Sequence, residues 1–391
     1  MRRRTATTSL LRQINRSAVV GLVRKENVVT PSSLATSLNI SIPTVMRVID
    51  GLIAEDLVAY DGFDEAARGR PPARIKFKGA AHAIVGIEAS RGEFYGAVAD
   101  LNGQIQNEMY VPVDDSDGEG NIERLIALIE ALIAAPRPKG QTVRGIGVGV
   151  PSIVKQPEGE VVLTLGLGFR DLPLRAILAK RFGIPVSVEN GRNLAAVGEW
   201  GFGSGQGATS VVSLSIGPGA GAGIVIDGKL YGGHAHAAGE LSWYLDDPLL
   251  SGRTFQRLGD RQSLRFGGGI PRAAIDALNR VDAEYRAGRV GIDALNGSAH
   301  ADPELAIVAE LLDYTTMAVA SIAAFMNPEV VILAGQISES PALVIDALRL
   351  RLAGNVYDPP RLVMSDLGHR DVVLGAIMVV LDATILNPTH P

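Results

Sequence analysis

Three side chains in the middle of the chain have the chemistry that holds a sugar. Asn190 offers two hydrogen-bond donors and an acceptor, and Glu240 accepts hydrogen bonds from two hydroxyl groups at once. Trp243, shortly after Glu240, presents a flat face of the kind that stacks on a sugar ring. We take these three as the candidate binding residues for a small carbohydrate, with the alternative that Trp243 only fills space.

Metal and thiol chemistry are not indicated. The 391 residues contain no cysteine, which excludes disulfides, thiolate zinc sites and a cysteine nucleophile. His234 and His236 lie close together, but two histidines without a third and fourth ligand make a weak metal site. We therefore expect no metal and no cofactor. The run Gly217-Pro218-Gly219-Ala220-Gly221 fits either a phosphate cradle or a tight turn between strands.

A second set of candidate binding residues lies near the N-terminus. Thr30 and Pro31 predict the start of a short helix, Asn39 a tight turn, and Ser41 the cap of a further helix. Two helices joined by so short a turn favour a helix-turn-helix, whose second helix presents its N-terminal residues to the DNA major groove. The residues free to make this contact are Ser41, Pro43, Thr44 and Arg47.

Two alternating segments, residues 57–60 and 74–77, predict strands that complete a winged helix-turn-helix over residues 1–78. Between them, Arg70 lies in a stiff Gly-Arg-Pro-Pro loop from which it could enter a minor groove. This head has thirteen basic and seven acidic residues, whereas the whole chain has 37 and 42 and a net charge of -5. A basic head on an acidic body favours a polyanionic partner, although chance asymmetry or a protein-binding helical bundle are alternatives.

The remaining residues, 79–391, alternate short apolar strands with helices and predict an α/β body. Two halves follow one another, at about 79–195 and 196–375, and helices are predicted over 174–182 and 303–326. No apolar segment typical of a secretory signal follows the N-terminus, and the longest uncharged run, 200–226, contains eight glycines. We expect a cytoplasmic protein that makes no membrane contact.

Several short motifs of the body, in this order and spacing, resemble the ROK family: Gly147-Val148-Gly149-Val150-Pro151, Phe182-Gly183-Ile184-Pro185-Val186, Val188-Glu189-Asn190, Ile216-Gly217-Pro218-Gly219-Ala220-Gly221, Ala238-Gly239-Glu240-Leu241 and Asn327-Pro328-Glu329-Val330-Val331-Ile332-Leu333. The members of this family are bacterial repressors and sugar kinases. The resemblance implies an α/β fold in which a winged helix-turn-helix precedes a two-lobed, actin-like (sugar kinase-like) domain. It also implies that a C-terminal helix near 374–386 returns to the first lobe, and that Asn190 and Glu240 match sugar-contacting positions.

The sequence departs from the pattern of the family's kinases at the positions that carry catalysis. In those kinases an aspartate base follows the asparagine that matches Asn190, whereas this chain has Gly191, which cannot accept a proton. Their Asp-x-Gly-Gly-Thr phosphate turn is replaced by Glu88-Ala89-Ser90-Arg91-Gly92. A histidine that serves the family's zinc site is replaced by Trp243. We therefore predict no catalytic residue, no kinase activity and no metal site.

The sequence thus predicts a DNA-binding transcription regulator, a repressor of carbohydrate genes, whose body senses a sugar or sugar derivative. One winged unit covers a single half-site, so we expect a homodimer, or a dimer of dimers, on a double-stranded DNA operator. Two alternatives stay open. One is an active ATP-dependent sugar kinase with a DNA-binding head, and the other is a regulator whose body binds a protein partner and no sugar.

Overall fold

The structure, a computed structural model, describes residues 8–63, 73–114, 117–164, 166–217, 219–241, 272–295 and 302–383, without the side chains of residues 8–10 and 13. Its N-terminal head contains α1 (Thr8–Glu26), β1 (Val28–Val29), α2 (Pro31–Leu38), α3 (Ile42–Ala54), β2 (Val58–Phe63) and β3 (Ala73–Phe77).

The head has the geometry of a helix-turn-helix. Helices α2 and α3 meet at 118° because Asn39, between them, adopts a left-handed conformation with φ of 51°. Thr30 caps α2 by accepting a hydrogen bond from the Ser33 backbone N–H at 3.1 Å, and Ser41 caps α3. Helices α1, α2 and α3 pack together through fully buried aliphatic side chains: Val19, Val23, Leu34, Val45, Ile49 and Leu52.

The wing is a sheet of three strands in the order β1-β3-β2. Strands β2 and β3 form the antiparallel hairpin that the alternating segments predict. Strand β1 pairs with the other edge of β3, with Val28 opposite Lys76. Two residues are too few to show an alternating pattern, so this strand was not predicted. Arg70, on the loop between β2 and β3, lies outside the described residues.

The first lobe is a mixed sheet with strand order β11-β7-β4-β5-β6. Its elements are β4 (His82–Ala89), β5 (Glu93–Asp100), β6 (Ile105–Pro112), α4 (Gly118–Ala134), β7 (Thr142–Val150), β8 (Val154–Lys155), β9 (Glu160–Leu163), β10 (Arg170–Leu172), α5 (Leu174–Phe182), β11 (Val186–Asn190) and α6 (Gly191–Phe202). Strands β8 to β10 form a small separate sheet. Strands β7 and β11 are parallel, and their last pair is Val150 and Asn190, so both strands end at the same edge.

The second lobe repeats the same plan with strand order β14-β13-β12-β15-β16. Its elements are β12 (Ser210–Ile216), β13 (Ala220–Ile226), β14 (Lys229–Leu230), α7 (Arg272–Arg286), α8 (Pro303–Met326), β15 (Val330–Ala334), α9 (Pro341–Leu352), β16 (Arg361–Met364) and α10 (Asp371–Leu381). Each large sheet has a three-stranded antiparallel meander continued by two parallel strands. The predicted two-lobed α/β fold is therefore confirmed.

Helix α8 coincides with the predicted helix at 303–326, and Asp302 caps its N-terminus. Within the described ranges, α8 is the one continuous helix that is long and apolar enough to span a membrane. The bent pair α2 and α3 reaches the same length and apolar content only if both helices are counted as one segment. Core helices of soluble proteins meet the same measure, so this is weak evidence for a membrane span. In this structure α8 packs between α7 and α9.

Helices α6 and α10 cross where the two lobes join. A Cβ built on Gly198 of α6 would collide with the Asp371 carbonyl oxygen, and one built on Gly375 of α10 would collide with the Leu194 carbonyl oxygen. Helix α10 also lies on β4 and β7 of the first lobe, where a Cβ on Gly86 would lie 2.6 Å from the Val373 carbonyl oxygen. Glycine at these positions lets the backbones approach more closely than any other residue would allow.

The head contacts the body directly. The Arg24 guanidinium lies 5.0 Å from the ring centroid of Phe202, at the C-terminal end of α6. The His82 Nε2 atom is 3.1 Å from the Glu55 carbonyl oxygen, which joins β4 to the end of α3. The buried side chains of the head and those beneath α10 form one continuous apolar cluster.

Candidate functional site

Asn190 lies at the junction between the first lobe and the second. It ends β11 and caps α6, and its Oδ1 accepts a hydrogen bond from the Arg192 backbone N–H at 2.8 Å. Its Nδ2 donates to the Ser152 carbonyl oxygen at 3.0 Å and to Glu240 Oε1 at 3.1 Å. Asn190 is only 4% exposed, so both of its donors are already in use inside the protein.

Glu240 reaches Asn190 because the loop that carries it is held against β13. The Ala222 backbone N–H donates to the Gly239 carbonyl oxygen at 2.8 Å. Gly239 has a φ of +82°, and a side chain there would collide with the Ala222 carbonyl oxygen. The structure thus brings together two predicted site residues that are fifty positions apart. Glu240 is half-buried, and among the described residues the second oxygen of its carboxylate has no partner and could accept a hydroxyl.

Glu189 fixes the N-terminal end of α6 by accepting hydrogen bonds. Its Oε1 accepts hydrogen bonds from the Asn190 backbone N–H at 2.8 Å and from Asn193 Nδ2 at 3.0 Å. Its Oε2 accepts one from Gln156 Nε2 at 3.2 Å. Glu189 is 7% exposed, and these three donors satisfy a buried carboxylate that would otherwise be costly. Its role is to position Asn190.

Gly191 leaves room beside Asn190. Apart from its chain neighbours and the backbone of its own helix, a Cβ built there would meet, among the described residues, only the Val150 carbonyl oxygen, at 3.7 Å. At the end of β4, burial raises the pKa of Glu88 to about 7. Burial, together with the charge of Glu88, raises the pKa of Asp371 to about 8 at the start of α10. These carboxyl groups hold protons near neutral pH, and neither of them is at the predicted site residues.

Arg192 is a residue that the sequence reasoning missed. It is half-buried, and its side chain lies along the glycine run between β12 and β13. A Cβ on Gly219 would lie 2.7 Å from Arg192 Nη2, and one on Gly221 would lie 2.5 Å from Arg192 Nε. Neither glycine has a positive φ, so a side chain at either position would have to displace the Arg192 side chain from the glycine run. A charged residue directly after the Asn190-Gly191 pair was the available signal.

The head presents a second candidate site on α3. Ser41, Pro43 and Arg47 are exposed, and Thr44 is half-buried. The Ser41 and Thr44 hydroxyls lie 2.8 Å apart, and Ser41 also accepts from the Thr44 backbone N–H at 3.3 Å, so both serve the helix cap. Arg47 has no hydrogen-bond or ionic partner among the described residues. Ile42, 51% exposed beside them, was not among the predicted residues.

Trp243, the third predicted carbohydrate-binding residue, lies outside the described residues, as does Arg70 of the predicted wing contact. The structure therefore assigns no position to either side chain. Within the ranges that it does describe, it joins Asn190 to Glu240 and leaves Arg47 free on the head.

A two-lobed, sugar kinase-like body with a winged helix-turn-helix head is the class of protein that this fold defines. Residues 84–248 match the sequence profile of the ROK family. The chain is 28% identical to the xylose repressor of Caldicellulosiruptor bescii over 400 aligned residues, which cover 98% of this chain and 99% of that protein. It is 26% identical to the glucokinase of Streptomyces coelicolor, over 75% of this chain and 95% of that enzyme.

Among solved structures, the chain is similar to a ROK family transcriptional regulator described as a homologue of the E. coli MLC protein. The TM-score is 0.75 at 21% identity, and 96% of this chain and 98% of the other are covered. This similarity shows that the head and body have the same fold in both proteins. The chain carries a ROK family domain, and the resemblance identified from the sequence motifs is confirmed.

Proposed function

We propose that this chain is a sequence-specific DNA-binding transcription regulator, a cytoplasmic repressor of carbohydrate genes that responds to a sugar. The observation that carries the proposal is the hydrogen bond between Asn190 and Glu240, which joins the two lobes at positions suited to sugar hydroxyls. The similarity to a xylose repressor over almost its whole length supports the regulatory role, since the match to the glucokinase relative covers only 75% of this chain.

The geometry of the site argues against phosphoryl transfer. A general base must lie within hydrogen-bond reach of the hydroxyl that it deprotonates, and Gly191 provides only open space at that position. The glycine run that would cradle phosphates is covered by the chain's own Arg192. We therefore propose that the body binds a carbohydrate without catalysing its phosphorylation.

Helix α6 connects the candidate sugar site in the body to the head. Its N-terminus is capped by Asn190 at the candidate sugar site, and its C-terminal residue Phe202 contacts Arg24 of α1. Twelve helical residues span about 18 Å, so one rigid element joins the two places. A sugar that favours one arrangement of the lobes changes DNA affinity through the difference between its affinities for the two arrangements.

For the head, residues 1–78, we propose that α3 enters the major groove, with Ser41, Pro43, Thr44 and Arg47 at the interface and Arg70 in the adjacent minor groove. Residues 79–391 then form the effector and dimerisation domain, and a homodimer reads two half-sites. Arg47, which is exposed and has no partner within the described part of the chain, provides the cation for a base edge or a phosphate.

The test begins with selection of genomic fragments by the purified full-length protein at low salt. We expect one enriched, near-palindromic sequence, and Arg47→Ala should weaken binding to it by about 1–3 kcal/mol. Arg361→Ala, which removes an exposed arginine of β16 in the second lobe, is the matched control and should leave DNA affinity unchanged. No enriched sequence would refute the regulator. Sugar-dependent ATP turnover would favour the kinase instead.

A further inference from the structure

Ile42 is the large apolar residue of α3 that the core of the head leaves most exposed. The structure describes every residue of this helix. Val45, Ile49 and Leu52 are fully buried, whereas Ile42, at the first helical position, is 51% exposed. A branched aliphatic side chain gains nothing from helix formation, and about half of this residue stays in water. Neither the helix nor the packing of the head therefore accounts for an isoleucine at this position.

The first turn of α3 offers few hydrogen-bond donors to a partner. The hydroxyl oxygens of Ser41 and Thr44 lie 2.8 Å apart, so one of their two protons is used in the bond between them. Pro43, exposed next to Ile42, has no backbone N–H. The outward surface contributed by Ile42 and Pro43 is therefore mainly hydrocarbon, and it suits an apolar contact better than a hydrogen bond.

The place of this apolar surface in the fold indicates what it contacts. Helix α3 is the second helix of the helix-turn-helix, whose N-terminal residues lie at base edges in the major groove. Arg47 follows Ile42 by five residues, a rise of about 7.5 Å along the helix axis. Neighbouring nucleotides of a strand are only about 3.4 Å apart, so the two side chains reach different base pairs. In the major groove, thymine is the base that presents a methyl group.

We propose that Ile42 reads a thymine of the operator through the 5-methyl group of that base, and so sets part of the DNA sequence specificity. This inference rests on the proposed function, because it requires that α3 enters the major groove. Contact between the methyl group and the Ile42 side chain removes apolar surface of both from water. A cytosine in the same place would instead present its N4 amino donor to a hydrocarbon side chain that cannot accept a hydrogen bond.

The experiment compares operators that differ only in methyl groups. The starting DNA is the near-palindromic sequence enriched by the full-length protein, and each thymine of a half-site is replaced in turn, together with its symmetry mate, by deoxyuridine. Deoxyuridine pairs with adenine as thymine does but lacks the 5-methyl group. For the parent protein we expect at least one replacement to weaken binding about fourfold for each half-site, the effect of exposing one buried methyl group.

Variants of the protein assign the effect to one side chain. Ile42→Ala should bind the thymine and the deoxyuridine operators equally, and Ile42→Val should keep part of the difference. Ile14→Ala is the matched control, because Ile14 is 54% exposed on α1 of the same head, and it should keep the full difference. A fall in the melting temperature of Ile42→Ala, with an equal loss of affinity for both operators, would overturn the proposal, since Ile42 would then only hold the helix in place.

The proposal also fails if no deoxyuridine replacement weakens binding, or if the weakening persists unchanged in Ile42→Ala. Neither result would touch the proposed regulator, which is judged by the enrichment of a DNA sequence. An enriched sequence whose binding depends on Arg47 but on no methyl group would leave the regulator in place and overturn the role of Ile42. If no sequence is enriched, the regulator is refuted and this inference with it.

Discussion

The sharpest test of the candidate site compares Asn190→Ala with Glu240→Ala. The first change removes three hydrogen bonds, to the Ser152 carbonyl oxygen, to Glu240 Oε1 and from the Arg192 backbone N–H. The second removes only the bond between Glu240 and Asn190 among those that the structure describes. The two variants should therefore lose sugar binding together but differ in stability.

The magnitudes follow from burial. Loss of the Asn190 cap costs about 1 kcal/mol, and loss of the buried donor to Ser152 costs a further 1–3 kcal/mol, approximately. Asn190→Ala should thus lower the free energy of unfolding by about 2–4 kcal/mol. Glu240 is half-buried, so Glu240→Ala should cost about 1 kcal/mol.

The assay is urea denaturation of both variants followed by titration with a sugar that binds the parent protein. Asn190→Asp is the control for the helix cap, because aspartate caps a helix as well as asparagine but cannot donate to Ser152 or Glu240. DNA affinity without sugar should stay near that of the parent. Equal stability of Asn190→Ala and Glu240→Ala would refute the reasoning, and unchanged sugar affinity in both would place the binding site elsewhere.

Three further predictions follow from other contacts. Burial raises the pKa of Glu88 to about 7 and that of Asp371 to about 8, so the folded state binds more protons than the unfolded state. The free energy of unfolding should therefore fall as pH rises from about 4 to 8, with Glu88 alone accounting for roughly 3 kcal/mol of that loss. Asp371→Asn should make the melting temperature depend less on pH. Gly191→Asp should fold, since space exists for the side chain, but a coupled ADP assay should show no sugar-dependent turnover, because Arg192 still covers the glycine run; restored turnover would contradict this. Phe202→Leu should leave sugar affinity intact while reducing the effect of sugar on DNA affinity, because it removes the aromatic contact with the head; an undiminished effect in a DNA-binding titration would exclude this route.

Local sequence was sufficient wherever a helix carries its own start signal. The helices at Pro31–Leu38 and Pro303–Met326 begin as predicted, because Thr30 and Asp302 cap them and proline fixes their first turn. The order of strands and helices and the motifs of the body were enough to predict the fold and the family. These features depend on residues close together in the chain, so no knowledge of the distant structure was needed.

The pairings across the lobes were decided by tertiary structure. The sequence predicted that Asn190 and Glu240 bind one ligand. Only the folded chain shows that they form a hydrogen bond with each other and that both N–H donors of the Asn190 side chain are already engaged within the protein. The placement of Arg192 against Gly221 likewise depends on how α6 meets β13. Such contacts join residues far apart in the chain through close packing of backbones, and no local pattern of side chains specifies which distant atoms will meet.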